Sequence, residues 1–352
     1  MCAIDEYGDE DTRSASEQLM TVSTPIGGMG QNQVVEAINT LDPARCRSII
    51  LGGGLDGAGA LVDTLVAERP HIGNSVAIRK KVKDPRFMFS LLDDLGIPYP
   101  GISWDIPDDQ TNWLQKSGCS EGGRGVRFLS GDQVDPGDYF QRRLKGRAYS
   151  VLFLANGENA RMVGFNTLHN VMMGQLPFMF VGAANFTDLA PAVVNRVAGY
   201  TLDLVRKLGL LGLNSIDFML DQKMDPRLLE INARPSATMS LYDEDIDGGL
   251  LNAHIQAVKG HLPPAPRTGV YRIFNMIEAP RTLVIPEGLH WPSWCKDRPC
   301  AHTIIPKTFP VCSVEAEATT PGRALRLLLQ RMTTLEDLLG GRKQSSSIPY
   351  LV

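Results

Sequence analysis

The sequence predicts a chain of several lobes and mixed class, α/β in its first part and α+β after it. Three observations predict this. SIILGGG (48–54) reads as a buried strand running into glycines, and AGALVDTLVAERP (58–70) follows it as an amphipathic helix. Between residues 112 and 182, short β-like runs alternate with glycine-rich turns. The strongly periodic helix APAVVNRVAGYTLDLVRKLG (190–209) then ends in glycine. Two apolar strands, LNSIDFML and RLLEIN, follow it around the polar turn DQKMDP. With 352 residues, 43% of them hydrophobic, the chain can bury a core sufficient for two or three lobes.

Taken in order, the α/β segment occupies residues 1–83. Asp84 and Pro85 then open a helix, as N-cap and first helical residue, that runs through FMFSLLDDL and stops at Gly96. The β-like runs are TNWLQK, GVRFL, YFQRRL, AYSVLFLA and ARMVGF. The last of these is expected to leave its strand for a loop carrying His169 near Asn166 and Asn170, within the Met- and Phe-rich stretch MVGFNTLHNVMMGQLPFMF. HLPPAPR (261–267) reads as a linker, and the helix GRALRLLLQRMTTLEDLLG (322–340) precedes the tail GRKQSSSIPYLV. The expected lobes are 1–83, 84–146, 147–260 and 261–352.

Composition narrows the function. A net charge of −4 gives no electrostatic footprint for nucleic acid or an anionic membrane. No run of 18 apolar residues is present, and the acidic start MCAIDEYGDED lacks the basic and apolar regions of a signal peptide. Six scattered cysteines (Cys2, Cys46, Cys119, Cys295, Cys300, Cys312) read as reduced thiols of a cytoplasmic protein. Cys295 and Cys300 lack the second Cys/His pair of a zinc site, and the six histidines are dispersed.

The informative segment is IDFMLDQKMDPRLLEINARPS (216–236). Residues i and i+2 of a strand point to one face, so Glu230 and Asn232 present two oxygen ligands side by side, and Asp217 can join them across the hairpin. Buried charges need partners, and such a set suits Mg²⁺, which takes one or two carboxylates plus substrate phosphates. Arg234 is spaced to meet a phosphate or carboxylate with its fork of donors. Upstream, QKSGCSEGGRGVRFL places Lys116 at the end of a strand before a loop with Gly118, Gly122, Gly123 and Gly125. Glycines let backbone N–H groups approach a polyphosphate, and the lysine supplies charge. In YFQRRLKGRAYS, the strand around Gln141, Arg142 and Leu144 could pair its backbone with a purine edge before the turn at Gly146.

The order of these parts, lysine and glycine loop, Gln-x-x-x-x-Gly hinge, then Asp217 with LEINARP, resembles the ATP-grasp superfamily over nearly the whole chain. The resemblance implies a Rossmann-like first lobe and ATP bound between two α+β lobes. It implies that Lys116 contacts the phosphates, that loop 118–125 closes over them, and that Arg142 and Leu144 read the adenine. Asp217, Glu230 and Asn232 would hold two magnesium ions, replaceable by Mn²⁺, and Arg234 the transferring group. The C-terminal HWPSWCKDRPCAHTIIPKTFPVCSVEAEATT is similar to a biotin-carboxylase-related, carboligase-like subgroup associated with tetrahydromethanopterin and methylofuran metabolism. The implied activity is a carboxylate–amine ligase acting through an acyl phosphate on small-molecule carboxylate and amine substrates. The alternatives are a carboxylase-like carboligase and a non-catalytic ATP-binding protein.

Two departures accompany the resemblance. The superfamily often places lysine directly after the helix-opening Asp, where this chain has Pro85 followed by Arg86. The first lobe also looks short, since AIDEYGDEDTR resembles the end of the family's second strand. Either Met1 is a late start or the lobe is naturally trimmed, and a trimmed lobe would expose an edge strand that could recruit a partner chain. Gly52 to Gly57 also satisfies G-x-G-x-x-G after a strand, the mark of an NAD(P)-dependent oxidoreductase. The acidic residue expected about 20 positions later is missing from the basic NSVAIRKKVK.

Overall fold

The computed structural model describes residues 1–22, 31–42, 44–118, 120–131, 134–267 and 269–340. Cys119 and the tail GRKQSSSIPYLV lie outside the described residues. Strand β1 (Cys2–Asp5) pairs in parallel with β2 (Gln18–Thr21) across the short helix α1 (Glu10–Ala15). Helices α2 (Gln31–Thr40) and α3 (Gly59–Glu68) follow, and Val34, Ala37, Leu61, Val62 and Leu65 form this lobe's core. The strand expected at 48–54 is reduced to a single parallel bridge between Ile49 and His71. Ile49 donates to the carbonyl of Pro70 and accepts from Ile72, and no further rung forms beside the glycines. The basic NSVAIRKKVK is helical: α4 (Val76–Lys83) is capped by Ser75 and continues through Asp84 into α5 (Pro85–Asp94). Asp84 accepts from the amides of Arg86 and Phe87, as its N-cap reading requires.

The next lobe is a four-stranded sheet in the order β3-β6-β4-β5, from β3 (Ile102–Ser103), β4 (Trp113–Ser117), β5 (Val126–Phe128) and β6 (Asp138–Arg142). The large sheet begins with β7 (Ala148–Asn156), β8 (Ala160–Met173) and β9 (Leu176–Ala184). His169 therefore lies inside strand β8, not in a loop, because β8 runs on to pair with β9 as far as Met173. Helix α6 (Pro191–Leu208) ends at Gly209 in the left-handed conformation and leads to the hairpin β10 (Leu211–Leu220) and β11 (Pro226–Asn232). Helix α7 (Gly249–Val258) and β12 (Tyr271–Glu278) come next, then the short β13 (Leu283–Val284), β14 (Cys295–Lys296) and β15 (Ile304–Ile305). β16 (Pro310–Ala318) and α8 (Pro321–Leu338) complete the fold. Eight strands form one sheet in the order β11-β10-β7-β8-β9-β12-β16-β14.

Both faces of this sheet are buried. On β7, Val151 and Phe153 face α5 and α6, while Leu152 and Leu154 face α7. That explains an uninterrupted apolar run where alternation would mark a half-exposed strand. A separate core unites β12, β16 and α8. Cys2 and Cys46 form a disulfide with Cα atoms 6.6 Å apart, against the expectation of six thiols; they stand 44 residues apart, a pairing that spacing does not reveal. Cys295, Cys300 and Cys312 are free. Among the described residues no helix is long and apolar enough to cross a membrane.

Two buried polar side chains fasten the first lobe to the large sheet. Asn74 donates to Asn214 Oδ1 (2.7 Å) and the Ala233 carbonyl (3.1 Å), and accepts from the Leu211 amide (2.8 Å). His254 accepts the Leu213 amide at Nδ1 and holds Nε2 3.1 Å from the Ile72 carbonyl, which fits a neutral ring protonated on Nε2. Asn74→Ala leaves buried groups unpaired, at about 1–3 kcal/mol each. It should lower the urea midpoint by the equivalent of about 3 kcal/mol without changing the m-value. A second prediction concerns acid. Burial pushes His169 down to about 4 and His71 down to about 4, from the ordinary 6.5. The unfolded chain then binds more protons below pH 6.5, so stability is full above that value and is lost as pH falls toward about 4. Thermal midpoints measured at pH 7, 6 and 5 should decline, and His169→Gln should flatten the decline.

Candidate active site

Strands β10 and β11 pair so that Asp217 stands directly opposite Glu230 and Ser215 opposite Asn232. A bulge after Asp217 shifts the register there. The Asn232 amide nitrogen donates to Glu230 Oε1 (3.2 Å) and Asp217 Oδ2 (3.4 Å), so the three predicted ligands meet. The Glu230 side chain is 40% exposed. Burial would raise the Glu230 carboxyl, but Lys83 and Lys116, with hydrogen bonds from Asp217 and Asn232, hold it well below the usual carboxylate range. Burial and the neighbouring Glu230 push Asp217 the other way, well above the usual carboxylate range. The pair therefore favours one negative charge over two.

Lys83 was not singled out from the sequence, yet it is central here. Its ammonium lies 3.2 Å from Asn232 Oδ1, 3.3 Å from Asp56 Oδ2 and 3.9 Å from Glu230 Oε2. Asp56 also pairs with Arg79 (2.9 Å) and with Arg234 Nε (3.0 Å), and its side chain is only 4% exposed. Although burial opposes ionisation, Arg234, Lys83 and Arg79 keep its pKa below the normal value. The i, i+4 spacing of Arg79 and Lys83 on α4 puts both on one face, a signal that was readable once the helix was recognised. Arg86, next to Pro85, instead lays its guanidinium over the Trp104 ring at 4.3 Å, outside this cluster.

Lys116, at the end of β4, donates to Gln141 Oε1 (3.2 Å) and lies 5.8 Å from the Tyr139 ring. Gln141 is buried, and its Nε2 has no hydrogen-bond partner among the described residues. The Arg142 amide already donates to the Gly101 carbonyl (2.7 Å) and its side chain stacks on Trp113, so a purine edge would be met by other backbone groups of the Arg142–Leu144 stretch. The glycine loop folds down onto the large sheet, where the Phe180 amide donates to Gly122 O. Gly123 has φ +86° there, and a Cβ would fall 2.0 Å from Phe178 O. Gly118 lies against Pro85, where a Cβ would come within 2.8 Å of the ring, and Gly125 accepts from the Ser117 amide. Glu121, also missed from the sequence, carries the loop across to Arg234 at 2.5 Å.

The donor set fits a magnesium–polyphosphate ligand. Among the described residues no group of three or more His, Cys, Asp or Glu forms a self-sufficient metal site. Two carboxylates and an amide oxygen are what Mg²⁺ uses when phosphates complete its shell. Lys83, Lys116 and Arg234 supply the positive charge, and the unpaired Gln141 Nε2 supplies a spare donor.

The layers and site geometry together define the ATP-grasp fold, a mixed α/β architecture with a large antiparallel sheet. Residues 82–238 match the family model described as the ATP-grasp domain. No curated protein matches the chain in sequence. Among solved structures, the chain is similar to biotin carboxylase from Campylobacter jejuni, crystallised with β-γ-ATP: TM-score 0.74, 14% identity, 94% of this chain and 85% of that one. It is also similar to the biotin carboxylase domain dimer of Hydrogenobacter thermophilus 2-oxoglutarate carboxylase, solved with MgADP, ADP and bicarbonate: TM-score 0.73, 13% identity, 95% and 84%. Rhizobium etli pyruvate carboxylase gives TM-score 0.74 at 14% identity over 97% of this chain and 37% of that one.

Gly123→Ala should keep the glycine loop from seating on β9. Limited trypsin digestion should then cut faster at Arg124, with a thermal midpoint within a few degrees of wild type.

Proposed function

We propose that this protein is an ATP-dependent, magnesium-requiring ligase that activates a substrate carboxylate as an acyl phosphate and transfers the acyl group to an amine. The observation that carries this reading is the meeting of Asp217, Glu230 and Asn232 beneath Lys83, with Lys116 close enough to lower the Glu230 pKa. Magnesium held by these residues would neutralise phosphate charge and align the γ-phosphoryl group for in-line attack. Lys116 holds phosphate oxygens from the small lobe. Lys83, fixed by Asp56, keeps positive charge between the metal ligands and the first lobe. Arg234 meets the carboxylate or its phosphorylated form through Nη2, its Nε being held by Asp56. The glycine loop excludes water, which would otherwise hydrolyse the intermediate. Glutamate joined to an amine of a furan or pterin one-carbon cofactor is the first substrate pair to test. A homo-oligomer in the cytoplasm completes the reading.

Likeness to biotin carboxylases favours a second reading, in which activated bicarbonate is the carboxylate and carboxylation the outcome. An ADP-release screen with amino acids, amines, furan and pterin precursors and labelled bicarbonate separates the two by the mass of the product. Glu230→Ala and Lys116→Ala should each lower turnover by about 100-fold or more while the protein stays folded. Removing magnesium with EDTA should abolish ADP release, and adding Mg²⁺ or Mn²⁺ should restore it. Full activity in Glu230→Ala would remove this residue from the metal site.

A further inference from the structure

Glu121 is the one acidic side chain of the glycine loop 118–125, and its carboxylate is gripped as a bound ligand would be. Oε1 accepts the Asp56 amide at 2.7 Å. Oε2 accepts the Gly54 amide at 3.0 Å and Arg234 Nη2 at 2.5 Å. All three donors belong to other lobes: two are backbone groups of the loop GGGLDG, and the third follows β11. The fit is close, since a Cβ on Gly53 would stand 3.3 Å from Glu121 Oε2. Arg234 is 10% exposed and Glu121 19%.

The donors are built independently of Glu121. Asp56 fixes Arg234 through Nε, leaving Nη2 to face the seat, and Arg79 and Lys83 hold Asp56 in turn. Three cations surround that single buried anion, so the seat keeps a net positive charge when Glu121 is subtracted. Both carboxylate oxygens are used, and the donors therefore match a flat, two-oxygen anion. Lys83 links the seat directly to Asn232 and Glu230.

We propose that the amides of Gly54 and Asp56 with the guanidinium of Arg234 form the seat for a substrate carboxylate, and that Glu121 holds this seat until the substrate displaces it. This rests on the ligase reading in one respect, that the seat lies beside the metal ligands. Glu121 is a tethered competitor. While it is seated, the competent fraction is small and apparent substrate affinity is reduced by that fraction. Its release frees the tip of the glycine loop, so carboxylate binding and loop position are linked through one arginine.

The test uses the full chain without nucleotide, titrated by calorimetry with acetate and separately with inorganic phosphate. Glu121→Ala should bind acetate about 10-fold or more tightly than wild type, as expected when a short-tethered competitor is removed. Acetate should also win over phosphate, and a crystal soaked in acetate should show its oxygens on the Gly54 and Asp56 amides and Arg234. Glu121→Gln keeps the size of the side chain and should shift acetate affinity in the same direction, which covers the case of an unfolded alanine variant. Equal acetate affinity in wild type and both variants, a preference for phosphate, or acetate bound elsewhere would overturn the proposal. MgATP binding by the same samples is read separately, and its absence would count against the ligase reading while leaving the acetate result intact.

Discussion

Asp56 contributes one buried carboxylate, and three cations from two parts of the chain converge on it. Arg79 and Lys83 come from α4, and Arg234 comes from the segment after β11. Burying charge is costly unless it is paired and hydrogen-bonded, and breaking a buried pair leaves an uncompensated ion at about 3–5 kcal/mol. The cluster therefore joins the first lobe to the segment after the β10–β11 hairpin through specific, directional pairs. Asn74 and His254 reinforce the same junction with directional hydrogen bonds. Lys83 is held at one end by Asp56 and reaches Asn232 and Glu230 with the other side of its ammonium. The position of Glu230 and Asn232 and the position of the first lobe are thus one structural fact.

The sheet supplies the rigidity that this node needs. β10 lies between β11 and β7, and the hydrophobic side chains of β7 are buried on both faces, so Asp217 cannot shift without repacking two cores. The glycine loop is the opposite case. It leans on β9 through one backbone hydrogen bond and on the node through Glu121. Among the described residues it also lays Gly118 on Pro85 and Gly123 on Phe178, so its hold combines ionic, hydrogen-bonded and close backbone contacts.

Much of this was legible from local patterns. The i, i+2 rule placed Glu230 and Asn232 together, and the hairpin brought Asp217 to them, because strand periodicity and a short turn fix geometry without knowledge of the rest. The Asp84-Pro85 helix start and the Gly209 stop were legible for the same reason. What could not be read depends on distant partners. SIILGGG has the composition of a strand, but Ile49 forms a single bridge, to His71, and Pro70, which has no N–H, can donate no rung on the Arg47 side of it. Lys83 stands one residue before the N-cap, whereas attention to the position after Asp84 pointed to Pro85 and Arg86. Asp56 and Glu121, 65 residues apart, gain their meaning only when the loops meet. His169 was expected in a loop after the strand ARMVGF, yet long-range pairing with β9 keeps the strand going.

The charges at this centre are already balanced before any ligand arrives. The Asn232 amide nitrogen and Lys83 face the two carboxylates, taking part of the role of a cation, while Asp56 and Glu121 neutralise Arg234. Metal entry would require the Asn232 amide to turn its oxygen toward the carboxylates, which withdraws the acceptor now offered to Lys83. Freed of that bond, Lys83 keeps Asp56 on one side and gains a reason to meet an anionic group on the other. In the same way, an anion at Arg234 requires Glu121 to leave. Under the ligase reading, binding at this centre would be an exchange of partners at every step, with cation and anions accommodated together.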